Sequence, residues 1–247
     1  MSVRDATYED LLPASKVLAA AFKDEALFGG HFHPHRADFP DDMHLFFLAK
    51  LRLDWARTTA SSPKDLQILL SHPPANPALI TGVAIWSRKR AAPKPDSPSV
   101  AAKVKEMEAL NAAEAARTPN RAAEPKNLGI LAAAEPFLEH HWSGSRAECW
   151  DLGLLGVDPA QGGHGYGKLL VRCGLEVARE EGVCASVISA LGRESFYTSL
   201  GFEDTVGTVR DFGGRKNPFF GREDLGGTIH FCDFGREVVG VRAYGEE

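Results

Sequence analysis

A chain of 247 residues, 44% hydrophobic and 25% charged, can bury an ordinary core and is too apolar for disorder throughout. A formal charge of -5 argues against a nucleic-acid partner, which calls for a basic footprint, and suits small or cationic partners. The 4 cysteines, Cys149, Cys173, Cys184 and Cys232, lie far apart without a C-x-x-C pair, so neither a zinc ribbon nor a disulfide framework is indicated and free thiols in a reducing compartment are expected.

The opening "MSVRDATYED" has charges where a signal peptide needs its apolar stretch, and no apolar run approaches the roughly 20 residues of a membrane span. A cytoplasmic protein with no membrane contact is expected. After a short strand at Val3, Thr7 precedes a helix with apolar positions at Leu11, Leu12, Val17, Leu18 and Phe22. An aromatic and His-rich loop, "FGGHFHPHRADFP", leads to a second amphipathic helix that Asp41 and Asp42 can cap. "LQILLSH" and "LITGVAIWSR" read as strands. The Pro-rich break "AAPKPDSPS" at 91–99 is followed by a helix through Val104, Met107 and Leu110, and a second break falls at "TPNRAAEPKN". Helical spacing resumes in "LGILAAAEPFLEHHW", with Pro136 beginning a new segment or kinking the old one. "AECWDLGLLGV" is a strand, "GKLLVRCGLEVAREEG" a helix stopped by Gly182, and "VCASVISAL" another strand. A short helix, "ESFYTSL", closes on Gly201, and strands are expected around the loop "GGRKNPFFGREDLGG".

The strand, loop, helix, strand unit at 147–191 carries the chemistry. Its loop, "GVDPAQGGHGYGKLL", is close to a nucleotide P-loop, but Leu169 stands where the magnesium-binding Ser or Thr should follow Lys168. Gly163, Gly165 and Gly167 form G-x-G-x-G, not the dinucleotide G-x-G-x-x-G. What both loops share remains: glycines turn the chain after a strand, and the next helix aims unpaired N–H groups at an anion.

The run from Val157 to Leu170 resembles the acyl-CoA loop of the GNAT superfamily of N-acetyltransferases, V-x-P-x-x-[QR]-x-x-G-x-[GA]. "SFYTSLGF" at 195–202 resembles that family's x-L-Y-x-x-x-G-F element. The match covers 148–205. At the usual Gln or Arg position this chain has Gly162, with Gln161 one place early, so diphosphate contacts would rest on the amides of Gly162, Gly163, His164, Gly165, Tyr166, Gly167 and Lys168, with the His164 and Lys168 side chains as optional cationic helpers.

The resemblance implies a single mixed α/β domain over 1–247. Its central, mostly antiparallel twisted sheet of about 6–7 strands would be flanked by helices and splayed between strands four and five, with a helical insertion at 91–146. It also implies acetyl-CoA as co-substrate, its pantetheine paired with the backbone of Leu155, Gly156 and Val157, and a primary amine, with a small molecule favoured over a protein, as acceptor by direct attack. Asp151 and Glu148 are candidate bases beside a water chain; Asp151 is favoured, fourteen residues before Gly165, where histone-type members place a glutamate. Tyr197, with an ordinary pKa of about 10, matches the acid that protonates the leaving thiolate. Two other readings stay open: a non-catalytic CoA-binding module and a phosphate-loop nucleotide binder. Oligomeric state is not legible.

His31, His33 and His35 alternate and would share one face if extended, but Pro34 interrupts a strand; an aromatic lip over a substrate cleft or plain surface is favoured over a metal site. "EHHW" at 139–142 lacks H-E-x-x-H spacing, so no metal is assigned. Acceptor specificity is expected in the insertion, the 24–42 loop and the 212–227 loop, with Phe219 and Phe220 helping to enclose a compact acceptor.

Overall fold

The computed structural model describes residues 1–60, 65–92 and 95–246. Pro93 and Lys94 of the expected Pro-rich break lie outside the described residues. Seven strands, β1 (Ser2–Asp5), β2 (Leu66–His72), β3 (Gly82–Lys89), β4 (Cys149–Val157), β5 (Cys184–Ala190), β6 (Asp204–Thr208) and β7 (Gly227–Cys232), form one sheet in the order β1-β2-β3-β4-β5-β7-β6. β4 and β5 pair in parallel, whereas β1–β2, β2–β3, β5–β7 and β6–β7 are antiparallel. This is the mostly antiparallel, helix-flanked mixed sheet the sequence predicts. The chain divides into two compact units, 1–87 with 94–124 and 154–170, and 88–93 with 125–153 and 171–247, so the expected insertion is shared between them.

In the first unit, α1 (Leu11–Phe22) and α2 (Met43–Ala60) put Leu11, Leu18, Phe47 and Leu51 against Ile68 and Leu70 of β2, Val83 and Ile85 of β3 and Leu154 of β4. Burying each such side chain contributes about 1.5–3 kcal/mol. α3 (Pro98–Arg117) begins where the Ser97 hydroxyl accepts from the Val100 amide at 3.3 Å and Pro98 takes the first turn, where a missing N–H costs nothing. Val100, Val104 and Met107, spaced four and three apart, pack one face of α3 against Ala56.

The expected loop after α1 is instead one wide π-helical segment, Ala26–Phe32, whose start is capped by the Glu25 carboxylate accepting from the Phe28 amide at 2.7 Å. Gly29 permits it: a Cβ there would lie 2.2 Å from the Lys23 carbonyl oxygen. The alternating histidines are therefore not on an extended face. His33 is buried, its Nδ1 2.6 Å from the Phe28 carbonyl oxygen and its Nε2 3.2 Å from Asn120 Nδ2, and Phe32 is buried against Phe28 and Phe46. These two side chains belong to the core and form no lip.

In the second unit, α4 (Ile130–Ala134) ends in single turns at Glu135–Phe137 and Glu139–His141, as Pro136 requires. The buried Arg146 guanidinium pairs with Asp204 at the start of β6 and with Asp233 after β7, over the face of Phe231 at 4.1 Å. α5 (Tyr166–Glu180), whose residues up to Leu170 belong to the first unit and the rest to the second, buries Leu170, Val171, Leu175 and Ala178, a stripe at helical spacing. α6 (Glu194–Thr198) follows β5. Residues 233–246 form no strand.

Candidate active site

The β4–β5 ladder runs from Cys149↔Cys184 to Leu152↔Val187 and stops, although β4 continues to Val157 and β5 to Ala190. The next residues, Gly153 and Ile188, are both exposed, Ile188 to 38%. On the other side of β4 the Asp158 amide donates to the Thr81 carbonyl at 2.9 Å. Backbone groups alternate along a strand, so the amides and carbonyls of Leu155 and Val157 face away from β3. Gly156 serves packing: a Cβ there would lie 2.9 Å from Leu18 Cδ2 and 3.0 Å from Ala21 Cβ, so its absence lets α1 sit on the strand.

After Val157 the chain makes a single turn, Pro159–Gln161, with the Asp158 carboxylate accepting from the Ala160 amide at 2.9 Å. The Gly162 amide donates to the Pro159 carbonyl at 3.2 Å, so it is spent within the turn, contrary to its expected place in the anion cradle. Gly162 has φ −61, ψ 154, which any residue adopts. Gly163 and Gly165 have φ +78 and +81 and need glycine. α5 starts at Tyr166, and its first backbone bond runs from the Leu169 amide to Gly165. Among the described residues no acceptor meets the amides of Gly163, His164, Gly165, Tyr166, Gly167 and Lys168. Helix-start amides and the positive end of the helix dipole make such a turn an anion site. Gly163, His164 and Lys168 are exposed and Tyr166 is buried.

Asp151, Glu148 and Tyr197 lie in the second unit. Glu148 precedes β4, and its carboxylate is engaged by Arg88 at 2.7 Å, Arg90 at 3.8 Å and the Ala91 amide at 3.0 Å. Asp151 stands directly opposite Ser186 in the ladder, and the Ser186 hydroxyl donates to its Oδ1 at 2.5 Å. The residue as a whole is half-buried, but its carboxyl is desolvated. That burial pushes it above the usual carboxylate range, against the Lys89 charge and the Ser186 hydrogen bond, which pull it down. Of the two carboxylates, Asp151 is the one free of an ion pair within 4 Å among the described residues, as a proton acceptor should be.

Tyr197 in α6 is 9% exposed, edge-on to Phe196 and Phe202 at 5.0 and 5.9 Å between centroids. Burial pushes its phenol up to about 12, opposed by Arg193, and its hydroxyl makes no hydrogen bond to a described residue. Phe219 is buried and Phe220 is 52% exposed, so only the second can touch a ligand from that loop. Among the described residues no three His, Cys, Asp or Glu side chains form a group able to hold a metal, and no helix is long and apolar enough to cross a membrane.

The sequence reading missed three neighbours of Asp151: Ser186, Trp142, whose Nε1–H donates to the Ser186 hydroxyl at 2.9 Å, and Lys89, whose Nζ lies 4.6 Å from the Trp142 ring centroid. The available signal was a serine inside the apolar strand "CASVISA", since a buried hydroxyl needs a partner.

Residues 110–202 match the model of the Acetyltransferase (GNAT) family. No curated protein matches the sequence. A crystal structure from Corynebacterium glutamicum ATCC 13032, described as histone acetyltransferase HPA2 and related acetyltransferase, aligns with a TM-score of 0.54 at 17% identity, covering 94% of each chain. The PaiA N-acetyltransferase of Thermoplasma acidophilum, in complex with coenzyme A, aligns with a TM-score of 0.49 at 10% identity, covering 93% of this chain and 96% of that one. The family match thus spans residues 110–202, and the fold is similar to that of the C. glutamicum protein.

Proposed function

We propose that this chain is an N-acetyltransferase that moves an acetyl group from acetyl-CoA to a small-molecule primary amine. The observation that carries the reading is the run of six unpaired amides from Gly163 to Lys168, set at a helix start directly after a strand whose ladder has ended. The coenzyme's diphosphate takes these amides. Its pantetheine takes the outward backbone of Leu155 and Val157, and Gly156 keeps that strand close to α1.

A protonated amine must lose a proton before attack. Asp151 accepts it, a role suited to a carboxyl raised by burial. The amine nitrogen then bonds to the thioester carbon, the tetrahedral intermediate expels the CoA thiolate, Tyr197 gives its phenolic proton to the sulfur, and the second proton lost by the nitrogen returns through water to the tyrosinate. A phenol at about 12 stays protonated at neutral pH, ready to donate. No covalent enzyme intermediate is needed.

The test is thiol release from acetyl-CoA with phenethylamine, spermidine, agmatine and a lysine peptide, alongside calorimetric CoA binding. Turnover with a small amine supports the reading. Tight CoA binding without turnover across the panel would make the chain a coenzyme-binding module, and thermal stabilisation by ATP and magnesium but not by CoA would make it a nucleotide binder.

A further inference from the structure

The hydrogen bonds around Asp151 have a fixed direction. An indole nitrogen can only donate, so Trp142 Nε1–H uses one lone pair of the Ser186 oxygen at 2.9 Å. The Cys149 thiol, fully buried and therefore protonated, lies 3.3 Å from the same oxygen and 3.5 Å from the Trp150 carbonyl oxygen, so its one proton is shared between these acceptors. With the indole on one lone pair, the oxygen acceptor within reach of the Ser186 hydroxyl among the described residues is Asp151 Oδ1 at 2.5 Å, within the range of a charge-assisted O–H···O bond.

Backbone register makes this arrangement rigid. Asp151 and Ser186 are direct partners across the parallel ladder, and Cys149 is the partner of Cys184, two residues away on each strand and on the same face. Trp142 is held in turn by the Phe231 ring at 5.6 Å between centroids and by Lys89 Nζ over its own ring. Ser186 is fully buried, so bulk water does not compete for its proton.

We propose that Trp142 and Ser186 are positioning residues that hold Asp151 Oδ1 as a permanent hydrogen-bond acceptor, so that the proton of the attacking amine is taken up at Oδ2. The proposal rests on Asp151 being the base. Its chemistry is a proton transfer alone: the amine N–H bond breaks, an Oδ2–H bond forms, and Ser186 keeps its own proton throughout. The bond from Ser186 also favours the ionised carboxylate, offsetting part of the burial that opposes it.

The test follows Asp151 in the full chain by 13C-carboxyl NMR titration, with the resonance assigned by its loss in Asp151→Asn, and the pH profile of kcat/KM with the fastest amine of the panel. In Ser186→Ala the carboxyl titrates at higher pH than in wild type, the ascending limb of the profile moves the same way by about one pH unit, and kcat/KM on that limb falls about tenfold and recovers on the plateau. Ser186→Thr keeps a hydroxyl on a strand and restores both. Trp142→Phe keeps the ring under Lys89 but removes the indole donor, and moves both readouts in the direction of Ser186→Ala. A folded Ser186→Ala or Trp142→Phe whose Asp151 titrates as in wild type overturns the proposal. A carboxyl that shifts while Asp151→Asn retains full turnover overturns the assignment of the base itself, and the proposal falls with it.

Discussion

Lowering the pH from 7 to 5 should destabilise this protein through His141, and replacing that residue should remove most of its share. His141 is 5% exposed and its Nε2 is buried without a hydrogen-bond partner. Its ring lies 3.9 Å between centroids from His140 and 5.6 Å from Phe212. Desolvation pushes its pKa down to about 4, helped by His140 and Arg146 and opposed by Asp211. A folded-state value below the unfolded value near 6.5 means that the unfolded chain binds the proton first. Stability is therefore intact above 6.5 and is lost as pH falls toward 4. At pH 5 the unfolded imidazole is almost wholly protonated and the folded one only about a tenth so. Integrated from pH 7, the loss is about 2 kcal/mol, reduced to about 1 where local opening lets the charged ring reach water.

The assay is urea unfolding at pH 7 and pH 5 of wild type and His141→Phe, followed by fluorescence and circular dichroism together. Phenylalanine fills the site without a titratable group and gives up no hydrogen bond at Nε2. The carboxylates held low by arginine do not confuse the window, because Asp10, held at about 2 by Arg4, stays ionised down to well below pH 5. Burial also lowers His33, His140 and His230, so both proteins lose stability on acidification, but the variant should lose about 1–2 kcal/mol less. Equal losses in the two proteins would refute the assignment of an uncharged, buried His141.

Tyr197→Phe should reduce kcat by about 10²–10⁴ while CoA affinity stays within about threefold, measured by steady-state kinetics and calorimetry; an unchanged kcat removes the acid. Gly163→Ala meets no atom within 4 Å of the new Cβ, so only its positive φ is penalised, by about 1–2 kcal/mol. CoA affinity should therefore drop about tenfold as the turn relaxes from that φ, with the thermal midpoint lowered by only a few degrees, and unaltered affinity would show that this turn does not hold the coenzyme.

The elements legible in the sequence are those whose cause is local. Gly163 and Gly165 are needed for a turn that only a positive φ can close, and Leu170, Val171, Leu175 and Ala178 declare their helix by period, whereas α3 begins at Pro98, inside the stretch expected as a break. The segment Ala26–Phe32 escaped because its wide turns have neither the period of an α-helix nor that of a strand, and its shape depends on Gly29 passing the end of α1. The partners of Asp151 escaped for a different reason. Ser186 lies thirty-five residues downstream, and only the parallel register sets the two side by side; a shift of one residue would turn Ser186 to the opposite face of the sheet. The fold therefore follows from periodicity and turn chemistry, whereas the environment that tunes the candidate base follows from which strands pair and in what register. For that reason the substitutions that probe Ser186 and Trp142 test the proposed chemistry more sharply than further changes to the glycine turn.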